Sequence, residues 1–473
     1  MYHTMGAFSS GYSSALGDIL SQVNDAFSGK SAGINVSSVV SELMQIKEQP
    51  ETQLQNEQAT INSQISVLTT LNTQLSALQS SIQNLSDFNG VFSQMTTGSS
   101  DASMVSASAD STATAGMHTI VVSKLATTSS SYSGYLSGSS LAGATINIAY
   151  GPDPQHPLKT DTINIPAADT TLAKAASYIN SGSYGVTASV VTDSTGSRLV
   201  LTSKTSGAAG NLTVTSSASS FTSAAGVDAQ LTVDGVPVDS ASNTVTGAIA
   251  GVTLSLGAAD PDTPVTLSVE PDTNGAATAL QDFVNAYNAE VGSINSQYKL
   301  DANGNEGVLG GDSMLQTLQS ELLGMISSSV SGVGSYVNLQ SMGIEMQDDG
   351  TLQINTSVLS TALSSNYGDV QKFFQSVSPK GWGQLAATEM RQLTDPTQGP
   401  VGVDINGLTL TNNGLSKQIS DFQANMAQVQ QQLMAQYSNL DALLIQYPLQ
   451  MQAAAAQLAS LSGTGGSGNG NQG

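Results

Sequence analysis

The chain has 473 residues, 12 Lys and Arg against 35 Asp and Glu, a net charge of −23 and no cysteine. That length allows about three domains. With no clustered cationic footprint, nucleic acid is excluded as a partner, and the missing cysteines exclude disulfide scaffolds, thiolate nucleophiles and Cys-ligated zinc.

Ser, Gly and other small residues predominate from Met1 to Gly33, and this start is expected to be poorly ordered in an isolated subunit. It has neither the cationic beginning nor the apolar block of a secretory signal. No stretch of the chain approaches the ~18 apolar residues of a membrane span. Those signals read as cytoplasmic, whereas a Cys-free acidic chain rich in Ser, Thr, Gly and Asn reads as extracellular. Export without a cleaved signal reconciles the two.

The spacing predicts a helix beginning at Ser37 or Ser38, either of which could cap it. A long helix follows, with Pro50 in its first turn, running to about Asp87 and ended by Asn89-Gly90, a pair that tolerates positive φ. Within it, Leu54, Ile61, Leu68, Leu75 and Ile82 hold one heptad core position and Leu71, Leu78 and Leu85 the other. Glu57 and Gln64 share that seam, so its first half is expected to be loose.

From about Ala102 to Val269 the period changes to two, with β-branched residues in short runs: Thr119–Val122, Ala144–Ala149, Val186–Val191, Leu199–Thr202, Leu212–Thr215, Leu231–Val233, Val252–Leu256 and Val265–Val269. Asp234-Gly235 predicts a hairpin turn. Short strands at this spacing indicate sandwich-like domains. The stretch has room for two, with the cut expected inside the Ser-rich segments 128–140 and 216–225.

Helical period returns over Ala276–Tyr298, Met314–Val330 and Leu359–Phe374, which most economically bundle with the N-terminal helix. Near the end, Leu415, Ile419, Phe422, Met426, Val429 and Leu433 alternate steps of four and three. Tyr437, Leu440, Leu444, Tyr447 and Met451 resume the pattern after a stutter. After Lys417 no basic residue remains and only Asp421 and Asp441 are acidic, so this helix lacks a charged outer face. Its second half, Leu433–Leu461, reads either as a core helix or as a face for a partner or a second copy. Pro448 is expected to kink or divide it, and Gly463–Gly473 reads as a flexible tail.

The expected fold is therefore multidomain α+β: a helical, coiled-coil leg from both termini plus a helical bundle, with two inserted antiparallel β-sandwich-like domains. The divisions are 1–50 with 420–473 for the terminal helical segment and 51–100 with 274–419 for the bundle. The first β domain takes 101–130 with 226–273, and the second, inserted, takes 131–225.

No catalytic constellation emerges. His3, His118 and His156 lie in separate contexts, with none placed between a Ser and an Asp. No phosphate-binding Gly-rich loop opens a helix. Asp301, Asn303, Asn305 and Asp312 imitate a calcium loop, but Glu306 stands where the sharp turn needs Gly, so a hydrophilic loop is preferred. Asp153 with His156 makes an incomplete metal site. No cofactor and no enzymatic activity are expected.

Several short matches occur in a fixed order. Ser31-Ala32-Gly33-Ile34-Asn35, Leu43-Met44 and Glu48-Gln49-Pro50 come first, then Ser99-Ser100-Asp101, Val122–Ala126 and Arg198–Ser203. Val238–Val245, Gly251–Leu254, Phe283–Asn288, Gly343-Ile344 and Asp349–Leu352 follow. In that order they resemble the flagellar filament cap family, the FliD or hook-associated protein 2 family. The resemblance implies a ring-shaped homo-oligomer, a pentamer being the expected count, at the distal tip of the bacterial flagellum. There it would help exported flagellin fold and polymerise, beside the hook-filament junction protein. It also implies type III flagellar export, and a cytoplasmic export chaperone binding the C-terminal helix at Leu433, Met434, Tyr437, Leu440, Leu443 and Leu444. Leu54, Ile61, Leu68, Leu75 and Ile82 complete the expected partner and oligomer set. The chain departs from the family pattern in its longer leader, Asn35 for a common Asp, Tyr437 for a common Phe, Pro448 and the Gly-rich tail.

The expected mechanism is steric, with Gly/Ser joints near 90–100 and 270–276 letting legs move against a β plate. One rival is a tip adhesin recognising mucin or a glycan through Tyr132, Tyr135, Tyr150 and Tyr184. Another is flagellin or a junction protein, which shares helical termini and a β centre.

Overall fold

The structure, a computed structural model, describes residues 17, 20, 21, 24, 25, 34–136, 141–168 and 171–462. Most of the expected loose start, and the Gly-rich tail from Gly463, lie outside the described residues.

Helix α1 spans Val36–Lys47 and α2 spans Gln49–Ser86, 38 residues or ~57 Å. The cap of α1 is Asn35, whose side chain accepts from Ser38 N, rather than either serine. An Asx side chain placed three residues before that amide does the same work. Pro50 does sit in the first turn of α2. At the far end Asp87 is extended and Gly90 has φ −74°, so no left-handed residue ends the helix. The last carbonyls are capped from outside instead: Gln384 Nε2 donates to Ser86 O at 2.7 Å and Gln375 Nε2 to Asp87 O at 2.5 Å. Gly90 is required for space, since a Cβ there would collide with the Asn84 carbonyl.

The chain then forms β1 (Met95–Ser99), β2 (Val105–Ala109) and β3 (Gly116–Lys124), and returns to the same region for β11 (Ala229–Val233), β12 (Val236–Ser240), β13 (Thr244–Ile249), β14 (Val252–Leu256) and β15 (Asp260–Pro271). A five-stranded sheet, β1-β15-β3-β11-β12, and a three-stranded one, β13-β14-β2, share a core built on Val105, Ile120, Val122, Leu254, Val265 and Leu267. Between these visits lie β4 (Thr128–Ser133), β5 (Thr145–Tyr150), β6 (Lys159–Asn164), α3 (Leu172–Ser181), β7 (Val186–Thr192), β8 (Ser197–Ser206), β9 (Leu212–Ser216) and β10 (Phe221–Ala224). They make a β10-β4-β8-β7 sheet and a β6-β5-β9 sheet around a second core that includes α3.

The two β regions divide at the edges of the Ser-rich segments, near 127 and 226, rather than inside them: β4 and β10 come from those segments and pair with each other in the second region. Ser129, Ser131 and Ser133 are fully buried, and Ser129 Oγ donates to Ala224 O while accepting from Leu212 N. A satisfied hydroxyl can enter a core at small cost. Nor are the joints free Gly/Ser loops. Met95–Ser99 pairs residue by residue with Leu267–Pro271, and Asp272 N donates to Gln94 O, so a ladder bridges the place where a swivel was expected.

The helical block comprises α4 (Thr273–Tyr298), α5 (Ser313–Ser327), a small hairpin of β16 (Ile344–Met346) and β17 (Leu352–Ile354), α6 (Thr356–Ser365), α7 (Tyr367–Gln375) and α8 (Trp382–Leu393). The helix expected over 359–374 is thus two, broken at Asn366. Its core joins α2's Leu68–Leu85 stripe to Phe283, Phe373, Phe374 and Trp382, with Trp382 Nε1 donating to Met325 O at 3.0 Å. Glu290, on α4, is the sole acidic or basic side chain fully buried among the described residues.

Helix α9 then runs from Pro400 to Ser462, 63 residues or ~95 Å. It continues through Pro448 rather than dividing there.

Candidate assembly surface

The terminal helices form one antiparallel pair. Asn412 Nδ2 donates to Asn62 Oδ1, Gln58 Nε2 to Ser416 Oγ and Gln423 Nε2 to Glu51 Oε1, at 2.9, 2.6 and 2.6 Å. Further out, Ile34 N donates to Asp441 Oδ1 at 2.8 Å, beside a small apolar cluster of Ile34, Val36, Tyr437 and Leu444. Each advance along α9 is matched by a retreat along α2 and α1. The bonds are between uncharged side chains or one carboxylate and an amide, as an uncharged polar face dictates.

The expected partner set splits in two. Ile61, Leu68, Leu75 and Ile82 are buried in this chain and Leu54 is half-buried. Helices α4, α8 and α9 already pack on α2, so the fully buried members are not presented to a second copy. On α9, Leu444 is buried, Leu433 and Tyr437 are half-buried, and Met434, Leu440 and Leu443 are exposed. The exposed apolar row continues with Ile445, Tyr447, Leu449, Met451 and Leu458. Only Tyr447 and Met451 of these stood in the heptad pattern. The lack of any charged residue after Asp441 was the signal for the rest.

The other constellations are internally occupied. Asp301 Oδ1 accepts from Asn303 N and Asn305 N, and Asp312 caps α5 by accepting from Met314 N. Among the described residues no group of three metal-ligating side chains converges. His118 Nδ1 lies 2.8 Å from Asp234 Oδ2, and that bond leads in holding the Asp234 carboxyl below its ordinary range. Asp234 and Gly235, with φ 51° and 83°, make the expected tight turn between β11 and β12. His156 pairs with Asp153 on the surface. The groove between α4 and α6, about 220 Å³, is lined by Thr273, Asn274, Gln281, Thr356, Ser360 and Ser364 with apolar neighbours and no titratable group.

Of the four tyrosines considered for a glycan, Tyr150 is buried with its hydroxyl donating to Asp161 Oδ2, and Tyr184 is half-buried. Tyr132 and Tyr135 are exposed, but the Arg198 guanidinium lies 3.7 Å from the centre of the Tyr135 ring and 5.3 Å from that of Tyr132. The cation already covers a face that a sugar would stack on.

Family comparison agrees with the architecture. Residues 32–129 match the family described as flagellar hook-associated protein 2 N-terminus, and residues 226–448 match its C-terminus. The chain belongs to the flagellar hook-associated protein 2 family. A flagellin hook IN motif matches 158–205, inside the second β region. The B-type flagellar hook-associated protein 2 of Pseudomonas aeruginosa is 29% identical over 86% of this chain and 92% of its own length. The flagellar hook-associated protein 2 of Escherichia coli K12 is 29% identical over 88% and 94%. The crystal structure of the flagellar cap protein FliD D1-D2-D3 domains from Escherichia coli superposes with a TM-score of 0.59 at 29% identity, covering 72% of this chain and 99% of that one. Hook-associated protein 2 is a structural family. Among the described residues no helix is long and apolar enough to cross a membrane.

Proposed function

We infer that this protein caps the flagellar filament at its distal tip, as a homo-oligomer that promotes folding and polymerisation of exported flagellin. Membership of the hook-associated protein 2 family, matched from residue 32 to residue 448 in two blocks, carries the reading. Its action is steric and non-enzymatic: no described cluster supplies a nucleophile with a base, and the most buried acid, Glu290, is sealed in a helical core. The ring is a pentamer, seated on flagellin and neighbouring the hook-filament junction protein. The protein reaches the outside through the flagellar type III route, accompanied by a chaperone that grips α9. Met434, Leu440 and Leu443 are the outward members of that chaperone set, while Leu433, Tyr437 and Leu444 shape the helix from its inner side.

The test is the mass and shape of the purified protein by light scattering and electron microscopy. Full-length protein is compared with protein lacking residues 1–40 and 430–473. Closed rings that are lost or weakened on truncation are expected. A strict monomer indifferent to truncation would overturn the ring, and open filaments would point to flagellin instead.

A further inference from the structure

The helical spacing of the last segment starts at Leu415, yet α9 begins at Pro400. Within the added turns, Asn406–Gly414 runs Asn-Gly-Leu-Thr-Leu-Thr-Asn-Asn-Gly, and only its two leucines are strong helix formers. Taken alone, it reads as a period-two run between two Asn-Gly turn signals. A helix imposed on such a stretch is a conflict between local preference and global fold, and conflicts of that kind mark strained or functional places.

The glycines are not there for room. At Gly402 an added Cβ would come within 2.9 Å of the Pro396 carbonyl oxygen, which explains that residue. At Gly407 and Gly414 it would meet nothing within 4 Å, and neither has a positive φ. Their remaining effect is to weaken the helix they sit in. Thr409 and Thr411 act in the same direction. Their hydroxyls donate back to Ile405 O and Gly407 O at 2.7 and 3.0 Å, a bond that loosens and bends helices.

The stretch lies between two holdfasts. Val401 is fully buried in the helical block, with Ile405 and Leu408 packed against the same core. From Asn412 onward α9 is held by α2, through Asn62, Gln58 and the buried Leu415 and Ile419. Between them Leu410 is 73% exposed. The facing part of α2 is thin as well, because Glu57 and Gln64 take heptad core positions on either side of Ile61. Gln64 Nε2 turns away to donate to Val308 O.

We propose that Asn406–Gly414 is a joint in α9, which opens before the helix on either side of it and lets the terminal pair beyond Leu415 tilt against the block around Trp382. It supplies the compliance that the β1–β15 ladder denies to the segments 90–100 and 270–276. Its use in capping rests on the function inferred above; the joint itself does not.

Hydrogen exchange read by mass spectrometry on the full-length protein tests the opening. Amides of 406–414 should exchange about tenfold or more faster than those of 383–393 and 415–422. Gly407→Ala and Gly414→Ala, which introduce no clash, should each slow that exchange by about fivefold. Gly324→Ala on α5, where a Cβ also meets nothing, should leave it unchanged. Spin labels test the tilt, since the protein has no cysteine. Ser320→Cys on α5 and Gln431→Cys on α9, both exposed, are labelled and diluted with unlabelled protein. Their distance distribution should be broad, and should narrow when both glycines are replaced by alanine. Exchange at 406–414 no faster than in its neighbours would overturn the joint. So would a narrow distance indifferent to the alanines. Both readings hold whether or not the protein forms rings, so failure of the joint and failure of capping are separable.

Discussion

The inner half of α2 and the outer half of α9 use one code and receive opposite treatment. Leu68, Leu71, Leu75, Leu78, Ile82 and Leu85 are 0% exposed, whereas Tyr447, Met451 and Leu458 are more than 60% exposed. Heptad spacing makes a stripe; what covers the stripe depends on what the rest of the chain brings back to it. Around α2 the chain returns three times, through α4, α8 and α9. From Ile445 to Ser460, every residue of α9 whose burial is described is exposed. Periodicity thus reports that a face wants cover but not whether the cover is internal, and for an assembling protein that difference separates scaffold from contact.

The largest effect that would break this contrast is a cavity. Leu75→Ala should cost the helical block about 3–5 kcal/mol, read from its chemical or thermal unfolding with the fluorescence of Trp382, which lies in the same core. Leu458→Ala should leave that transition within about 0.5 kcal/mol. Equal effects at the two sites would mean that the exposed stripe is packed in the isolated protein as firmly as the core.

A second difference lies within the helical block and concerns charge. Glu290 is fully buried on α4, and neither carboxylate oxygen has a protein hydrogen-bond partner. Burial alone pushes its pKa from 4.5 to about 8. The acids on the neighbouring helices, Glu51 and Glu57 of α2 and Glu321 of α5, make no contribution to that shift. The folded state therefore binds a proton that the unfolded state releases above pH 4.5. Stability from this group is fully present below that pH and is lost as pH rises toward about 8. The slope approaches ~1.4 kcal/mol per pH unit across that window. Glu290→Gln should flatten it, raising stability by a few kcal/mol near neutral pH. Parallel pH profiles for the two proteins would show that the carboxyl finds water or a partner in solution.

Sequence reading succeeded where side chains announce their environment. The α2 and α4 stripes, the Asp234-Gly235 turn and every β-branched run appear in the structure as elements. It failed where small polar residues are buried. β4, whose sequence is TSSSYS, has no β-branched pattern after Thr128, and its place in the sheet depends on hydroxyls engaged by distant carbonyls and amides. The end of α2 near Asp87 was read correctly, but its caps were not, because they are glutamines nearly 300 residues away. Pro448 does not divide α9, which stays helical through it. Of the expected contact residues, heptads marked Ile61, Leu68, Leu75, Ile82 and Leu440, and the family resemblance added Met434 and Leu443; burial separates the first four, covered within this chain, from the last three, which are exposed.

The smallest effects should come from the polar bonds that set the register of the terminal pair. Gln58, Asn62 and Gln423 bond across it from exposed positions, where water competes for each donor and acceptor. Replacing any one with Ala should change stability by less than about 0.5 kcal/mol. Apolar contact at Leu415 and Ile419, both buried on α2's side of α9, holds the helices together there. Leu415→Ala should therefore accelerate amide exchange in the 404–426 stretch of α9 far more than Gln58→Ala does. If the glutamine mattered as much as the leucine, the pair would be held by specific hydrogen bonds and its register would be rigid. If it does not, the two helices can slide by small steps while the block around Trp382 stays fixed. A uniformly buried coil would not have that freedom.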